Sequence, residues 1–492
     1  MPGTVARVFD RALADDPNRE ALVTRSRRLS YAELDAEVDR AAGALRSLGV
    51  RPGDRVAASL PNEADVVVAF HGAMRLGAIW VGVNRPLAPP EKHYLLDDSG
   101  ASLLLAEETV PGMSADVRFV GVEEWRSEVA SADGGPSDGE VDPHAPAGIA
   151  YTSGTTGRPK GAVHSQWNLL LPGASLVAER GYGPELRKGD CLPLTILNLQ
   201  VLTSLLTAQA RGTCVVMDRT DPEGIAEWIR TERVTTWNGP PALLHSLASA
   251  EAVSREDLAT LDEVWNGGAD CPDAVRRRFE SKFGHEILCT YGLTEAPAVV
   301  TIDPRRGPHR PGSSGRPLGH VAVVIADDAG APVAPGETGE ILVRAADDRY
   351  RPMLGYWHRD DATAEALADG ALHTGDVGFL DDDGALHVRD RKKLVIIRGG
   401  ANVYPAEVER VLHEAPGVAA CAVLGIPDER LGERVVAAVE PEPGVELDEA
   451  RLRTHCEQNL ARYKVPEHFV LVESFERNAM NKILREPLAD LF

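Results

Sequence analysis

The sequence predicts an α/β protein. It expects a large N-terminal domain of two α/β sheet subdomains plus a small β-rich subdomain, followed by a smaller α+β C-terminal domain. Three observations carry that prediction. Helical and strand patterns alternate over the first hundred or so residues, and again from Gly161 to Asp303. From Gly315 to Arg389 the character changes to short strands and turns. After Arg391 a further run of about a hundred residues mixes helix and strand, enough for a separate domain.

Taken in order, Ser30 and Glu33 form a capping box ahead of a helical stripe, Leu34, Val38, Ala41, Leu45 and Leu48, closed by Gly49. A strand at Arg55–Leu60, a helix from Glu63 to Leu76 and a strand at Ala78–Val83 imply a parallel sheet flanked by helices. The Gly-, Pro-, Asp- and Ser-rich run Ser131–Ala147 reads as a surface loop. Helices are expected at Pro222–Glu232 and Pro272–Phe283, and short strands at Val321–Ile325, Glu340–Val343 and Ala385–Val388. The C-terminal part reads as helix Ala406–Glu414, strands Ala419–Gly425 and Val435–Val439, helix Asp448–Leu460 and strand Phe469–Val472.

Acidic residues outnumber basic ones by 75 to 52, a net charge of −23, which argues against general binding to nucleic acid or to a membrane surface. The six cysteines form no C-x-x-C pair and stand at no metal-ligand spacing, as expected of small buried side chains in a reducing cytoplasm. The N-terminus lacks the apolar core of a signal peptide. No residue between Asp190 and Arg211 is charged, a length that would suit a membrane span. Pro193, Thr195, Asn198, Gln200, Thr203, Ser204, Thr207 and Gln209 interrupt it, so a buried helix bordering a cavity is expected instead.

The segment Thr152–Lys160 holds two glycines, four hydroxyl residues, a proline and a lysine. Glycines let successive amide N–H groups converge on an anion, hydroxyls add donors, and Lys160 adds charge, a combination suited to phosphate. It is not a Walker A loop. Lys160 lies three residues after Gly157, and the flanks Gly148–Thr152 and Gly161–His164 read as two strands rather than strand and helix.

Thr152-Ser-Gly-Thr-Thr-Gly-Arg-Pro-Lys-Gly161 resembles the signature of the ANL superfamily of adenylate-forming enzymes, which includes acyl-CoA ligases, adenylation domains of nonribosomal peptide synthesis and luciferases. Further family motifs follow in order: Gly267-Gly-Ala269, Tyr291-Gly-Leu-Thr-Glu295, His373-Thr-Gly-Asp376, Asp390-Arg-Lys-Lys393, Gly399-Gly-Ala-Asn-Val-Tyr-Pro405 and Asn478-Ala-Met-Asn-Lys-Ile-Leu-Arg485. The resemblance runs from about residue 5 to residue 490. It implies a ligase that uses ATP, Mg2+ and coenzyme A to turn a small-molecule carboxylic acid into acyl-AMP and then into a thioester.

By resemblance, Thr152, Ser153, Gly154, Thr155, Thr156 and Lys160 hold the phosphates, Gly267, Gly268 and Ala269 line the purine slot, and Tyr291 packs on adenine. Thr294 would contact the α-phosphate and Glu295 would hold Mg2+, since a hard cation wants carboxylate oxygen. Asp376 and Arg391 resemble the pair that holds the ribose hydroxyls, and Lys482 the lysine that binds carboxylate and α-phosphate during adenylation. The implied organisation is an N-terminal domain at 1–390, a hinge at 391–393 including Lys393, and a mobile lid at 394–492. Gly399 and Gly400 would line the pantetheine channel.

Three departures from the family pattern stand out. Thr195 and Ile196 occupy the place of an aromatic–His pair, Asn481 stands where a glycine usually precedes the lysine, and Leu431 replaces a tryptophan. By resemblance, adenylation domains for α-amino acids carry an Asp just after Pro193, and no acidic residue lies between Cys191 and Ala210 here, so an uncharged, largely apolar acid is expected. The absence of a large gate at Thr195 and Ile196 points to a bulky, even polycyclic, one. Its pocket would draw on Asn198, Trp237, Asn238, Gly239, Trp265, Asn266 and Gly267. Three points stay open: whether the thiol belongs to CoA or to the phosphopantetheine of a separate carrier protein, whether Asn481 leaves an enzyme efficient in only one half-reaction, and whether the chain forms a homodimer.

Overall fold

A computed structural model describes residues 3–134, 141–152, 158–268, 271–305, 310, 312–347, 350, 352–398, 401–428, 430–477 and 483–492. Among them the strands assemble into four sheets. Two are large α/β sheets, one is a small antiparallel sheet, and one belongs to the C-terminal α+β segment, as the alternating patterns predict.

The first sheet has seven strands. Arg55–Ser59 lies between Ile79–Gly82 and Leu103–Ala106 and parallel to both, with Arg118–Gly121 at one edge. Towards the other edge the hairpin Pro146–Thr152/Lys160–Ser165 joins it, followed by the two-residue strand Gly355–Tyr356. Helix Tyr31–Ser47 begins with the predicted capping box. Ser30 accepts from the Glu33 amide while Glu33 accepts from the Ser30 amide at 2.8 Å, which satisfies two otherwise orphaned donors. That helix buries Leu34, Val38, Ala41 and Leu45 against helix Ala64–Leu76, itself buried at every position but one.

The second sheet has nine strands, six of them parallel: Glu20–Val23, Thr213–Val216, Arg187–Asp190, Thr236–Asn238, Glu263–Asn266 and Ile287–Tyr291. Helices and loops cover both its faces, so strands such as Thr213–Val216 and Glu263–Asn266 are buried at every residue. In such a sheet ligands gather at the carboxyl ends of the strands. Asn238, Asn266 and Tyr291 stand at three adjacent ends.

The uncharged stretch folds as predicted into a buried helix, running Leu197–Gln200, a π turn Val201–Leu205, and Leu206–Ala210. Its polar side chains bond locally: Gln200 donates to the Leu194 carbonyl at 2.8 Å, Ser204 to Gln200 at 2.6 Å, and Thr207 to the Thr203 carbonyl at 2.8 Å. Among the described residues no helix is long and apolar enough to cross a membrane.

Val321–Ala326, Gly339–Ala345, Leu372–Leu380 and Leu386–Arg391 make the small antiparallel sheet. Beyond it, Ile396–Arg398, Ala401–Val403, Val418–Asp428, Gly432–Pro441 and His468–Leu471 form the last sheet. Helices Pro405–His413 and Glu449–Asn459 pack on it around a core of its own that includes Ile396, Val408, Leu412, Val423, Val435, Leu452 and Phe469.

Candidate active site

The two strands around the phosphate loop are antiparallel, with Tyr151 opposite Gly161 and Thr152 opposite Lys160. The tip, including Ser153, Gly154, Thr155 and Thr156, lies outside the described residues. Both stems are anchored to helix Pro89–Ser99. Tyr151 donates its hydroxyl to Asp98 at 2.9 Å, Arg359 bonds the same carboxylate at 2.5 Å, and Tyr94 donates to the Pro159 carbonyl at 2.8 Å.

The segment Tyr291–Glu295 leaves the carboxyl end of strand Ile287–Tyr291 and turns back sharply through Ala298. Gly292 is required there, because a Cβ would lie 1.8 Å from the Ala298 carbonyl oxygen. Ala298 itself sits at a φ of 69°, a left-handed conformation that costs an L-residue about 1–2 kcal/mol. Two side chains of the neighbouring sheet hold this turn. The His164 Nε2 lies 2.8 Å from the Thr294 carbonyl, and Tyr356 donates its hydroxyl to Glu295 Oε1 at 2.7 Å. His164 is wholly buried, which pushes its pKa down to about 4, so near neutrality the ring is uncharged and its Nε2–H donates to that carbonyl. Lys160 places its ammonium 5.1 Å over the Tyr356 ring. Lys160, Tyr356, Glu295 and Thr294 therefore form one linked group.

Four residues upstream of Glu295, Tyr291 donates its hydroxyl to Asp376 Oδ2 at 2.7 Å. Asp376 and Arg391 are cross-strand partners in the small sheet, and Arg391 Nε lies 3.3 Å from Asp376 Oδ1. Burial and the adjacent Asp376 carboxylate push the Tyr291 phenol well above its ordinary range, so it stays a donor. The structure thus brings Tyr291, Asp376 and Arg391 together.

Past strand Glu263–Asn266, a Cβ on Gly267 would meet the Thr290 hydroxyl at 2.5 Å, while Gly268, at a φ of 82°, borders open space. Asn198 is half-buried on the uncharged helix, with its Oδ1 sealed from solvent. Asn238 and Asn266 are buried, and the Trp237 ring covers Gly239. The structure does not bring the two tryptophans together. Trp237 lies in the core with Val264, its cross-strand partner, and Trp265 packs on the opposite face of the sheet, its indole donating to Glu263 at 2.9 Å. Thr195 is wholly buried, and its carbonyl accepts from the Trp80 indole at 3.0 Å.

At the start of the C-terminal segment, Lys393 is exposed in the turn Lys392–Leu394. The neighbouring Asp390 accepts from the Ala406 amide at 2.8 Å, at the first turn of helix Pro405–His413, and burial pushes its pKa up to about 6. Ala269, Gly399, Gly400, Asn481 and Lys482 lie outside the described residues. Sequence reasoning missed His164, Tyr356 and Asp98. The only local signal was His164 beside the phosphate motif; the other two are joined to the site by tertiary contact.

Among the described residues no three His, Cys, Asp or Glu side chains gather as a metal-holding group. Glu295 is a single carboxylate with one oxygen taken by Tyr356. One carboxylate together with substrate phosphates is the usual way in which Mg2+ is bound, so these residues fit an ion that arrives with the nucleotide.

Known proteins match this chain over most of its length. The family described as AMP-binding enzyme matches residues 9–357, and its companion, AMP-binding enzyme C-terminal domain, matches residues 407–482. A feruloyl-CoA synthase from Amycolatopsis sp is 38 % identical over 93 % of this chain and 92 % of its own length. An indoleacetate–CoA ligase from Aromatoleum aromaticum is 35 % identical over 98 % of this chain and 97 % of its own. The solved o-succinylbenzoate coenzyme A synthetase of Bacillus subtilis, in complex with ATP and magnesium ion, superposes with a TM-score of 0.87 at 30 % identity, covering 98 % of this chain and 99 % of that one. The chain belongs to the AMP-binding enzyme family, in the acyl-CoA synthetase branch of the ANL superfamily, and is an acid–CoA ligase that uses ATP, Mg2+ and coenzyme A.

Proposed function

We propose that the acid is a largely apolar, bulky one, aromatic or polycyclic, and that the residues assembled above activate it. The observation that carries the activating role is the convergence of Tyr291–Asp376–Arg391 and Lys160–Tyr356–Glu295 on the two ends of one five-residue segment. Ferulate and indoleacetate, named for two relatives, are acids of the expected kind.

A carboxylic acid with an ordinary pKa near 4 is already ionised at neutral pH, so its oxygen attacks the α-phosphorus without a general base. The bond from the α-phosphorus to the bridging oxygen breaks, and pyrophosphate leaves. The chain's task is positioning and charge neutralisation. Thr152, Ser153, Gly154, Thr155, Thr156 and Lys160 cradle the phosphates, Thr294 contacts the α-phosphate, and Asp376 with Arg391 holds the ribose. Glu295 would hold Mg2+, which would supply charge neutralisation at the phosphates. Gly267, Gly268 and Ala269 leave room for adenine against Tyr291.

Lys482 reaches the carboxylate and the α-phosphate from the C-terminal domain, 394–492, which closes on the N-terminal domain, 1–390. Rotation about 391–393, with Lys393 at the pivot, then presents Gly399 and Gly400 to the pantetheine arm. The thiol sulfur attacks the acyl carbon, the bond from that carbon to the phosphate oxygen breaks, and AMP leaves. Closure in each half limits hydrolysis of the adenylate. The acid lies beside Asn198, Asn238, Gly239, Asn266 and Gly267, with Trp237 and Trp265 as packing behind the strands. Six buried cysteines, none of them in a disulfide, support a cytoplasmic setting.

A second acceptor, the phosphopantetheine of a separate carrier protein, is favoured by Leu431. It stands in the turn between strands Val418–Asp428 and Gly432–Pro441, where it offers no flat ring for CoA's adenine. A panel of aryl, polycyclic and fatty acids, assayed for pyrophosphate release and for acyl-CoA by mass spectrometry, tests both points. Aryl and polycyclic acids should release pyrophosphate best and yield acyl-CoA. A preference for short or charged acids would overturn the assignment of the pocket, and product formed only with a carrier protein would favour the second acceptor.

A further inference from the structure

The geometry points to Tyr356 as a positioning residue that aims the Glu295 carboxylate at the metal–nucleotide complex. This rests on the reading of Glu295 as the metal-holding carboxylate.

Several independent contacts converge on this side chain. Its backbone is fixed as an edge strand: Tyr356 pairs with Ala162, the Leu354 amide donates to the Val163 carbonyl at 2.8 Å, and the Trp357 amide donates to the Gly161 carbonyl at 2.8 Å. The Tyr356 amide donates to the Thr363 hydroxyl at 2.8 Å, and Arg359 ties the following turn to Asp98, which also holds Tyr151. The ring is therefore carried by the same strand pair that forms the second stem of the phosphate loop. Its face lies under the Lys160 ammonium, and its hydroxyl takes Glu295 Oε1.

Glu295 has three side-chain torsions and stands half-exposed in an irregular turn, so without a partner its carboxylate would sample several orientations. A phenol donor on one oxygen fixes the plane of the carboxylate and leaves the other oxygen for a cation. A phenol with an ordinary pKa of about 10 is protonated throughout the neutral range, so it is a donor there. The same ring restrains Lys160 through a cation–π contact. One tyrosine thus sets the separation of the phosphate-binding cation from the metal-binding anion.

The test is a metal titration rather than a rate. Mn2+ is added to enzyme in excess over α,β-methylene-ATP, and bound metal is read from loss of the free-Mn2+ EPR signal, for wild type, Tyr356→Phe, Glu295→Gln and the double variant. Tyr356→Phe keeps the ring, the Lys160 contact and the edge strand and removes only the donor. It should weaken Mn2+ binding roughly three- to tenfold, the scale of one hydrogen bond. The double variant should bind no more weakly than Glu295→Gln alone. Wild-type affinity in Tyr356→Phe, with weakening in Glu295→Gln, would overturn the inference. So would independent, additive losses in the double variant, since Tyr356 would then not act through Glu295. Wild-type affinity in Glu295→Gln would instead overturn the metal-holding role of Glu295 itself.

Discussion

Asp376 accepts from Tyr291, faces Arg391 across the small sheet, and is itself buried. An anion in that position is held ready for two neighbouring hydroxyl donors, which is what a ribose offers. Replacing it with alanine removes the proposed ribose acceptor and leaves the buried Tyr291 hydroxyl without its partner. Asp376→Ala should therefore raise the KM for ATP by roughly ten- to a hundredfold, in keeping with loss of hydrogen bonds to a charged group. The KM for the acid should change far less, and steady-state kinetics with each substrate varied separately would show the difference.

At this scale the sequence was informative where chemistry is concentrated in a short motif. Tyr291, Glu295, Asp376 and Arg391 each stand in a short motif of the family, and the structure joins Tyr291 to Asp376 and Asp376 to Arg391 by direct contacts. Tyr356 and Asp98 escaped notice because nothing in a local G-Y-W or D-D-S run states its partner. Tyr356 meets a carboxylate 61 residues away, and Asp98 meets an arginine 261 residues away. The tryptophans show the opposite limit. Trp237 and Trp265 look alike in sequence, yet the parity of neighbouring strands sends them to opposite faces of one sheet.

Among the elements, the hairpin Pro146–Thr152/Lys160–Ser165 and the turn after strand Ile287–Tyr291 act together, joined by His164 and Tyr356. Gly292→Ala would force a methyl group into the Ala298 carbonyl, 1.8 Å away, so the turn must open. We expect about 1–3 kcal/mol of destabilisation in denaturant melts, the usual range for overpacking, together with loss of adenylation because Thr294 and Glu295 shift. His164 supplies a pH signature. Its folded value of about 4 lies below the ordinary histidine value near 6.5, so between these pH values the unfolded chain binds the extra proton. The stability tied to this group is present above about pH 6.5 and is lost as pH falls through about 4, at up to about 1.4 kcal/mol per pH unit. His164→Gln should accordingly show its largest stability deficit near pH 7 and a smaller one near pH 5. A deficit that does not change with pH would mean that the imidazole is not held neutral.

These elements were largely legible because their patterns are local. The capping box at Ser30–Glu33, the helix at Pro222–Glu232 and the strands flanking the phosphate loop all stand where the residues place them. The π turn at Val201–Leu205 had no such signal. The polar residues of that stretch marked it as a buried helix rather than a membrane span, but their internal bonding is visible only in three dimensions.

For the whole molecule, the reading requires one chain to run two reactions in turn. With Lys482 acting in adenylation as proposed, Lys482→Ala should reduce pyrophosphate release by a hundredfold or more while leaving thioester formation from supplied acyl-AMP within roughly threefold of wild type, as expected for a group used in one transition state only. Equal losses in both halves would remove Lys482 from adenylation. The order of the sheets along the chain was legible from the changes of pattern at Gly315 and Arg391. How the proposed approach of the C-terminal segment to the nucleotide takes place was not, since it would bring together parts distant in sequence.

The central claim, that the acid is activated as its adenylate, is tested most directly by isotope transfer. An aryl or polycyclic acid labelled with 18O in both carboxylate oxygens is converted with ATP and CoA, and the nucleotide product is weighed by mass spectrometry. AMP should carry one 18O, and pyrophosphate none. Unlabelled AMP, or label in orthophosphate with ADP as the nucleotide product, would contradict the claim.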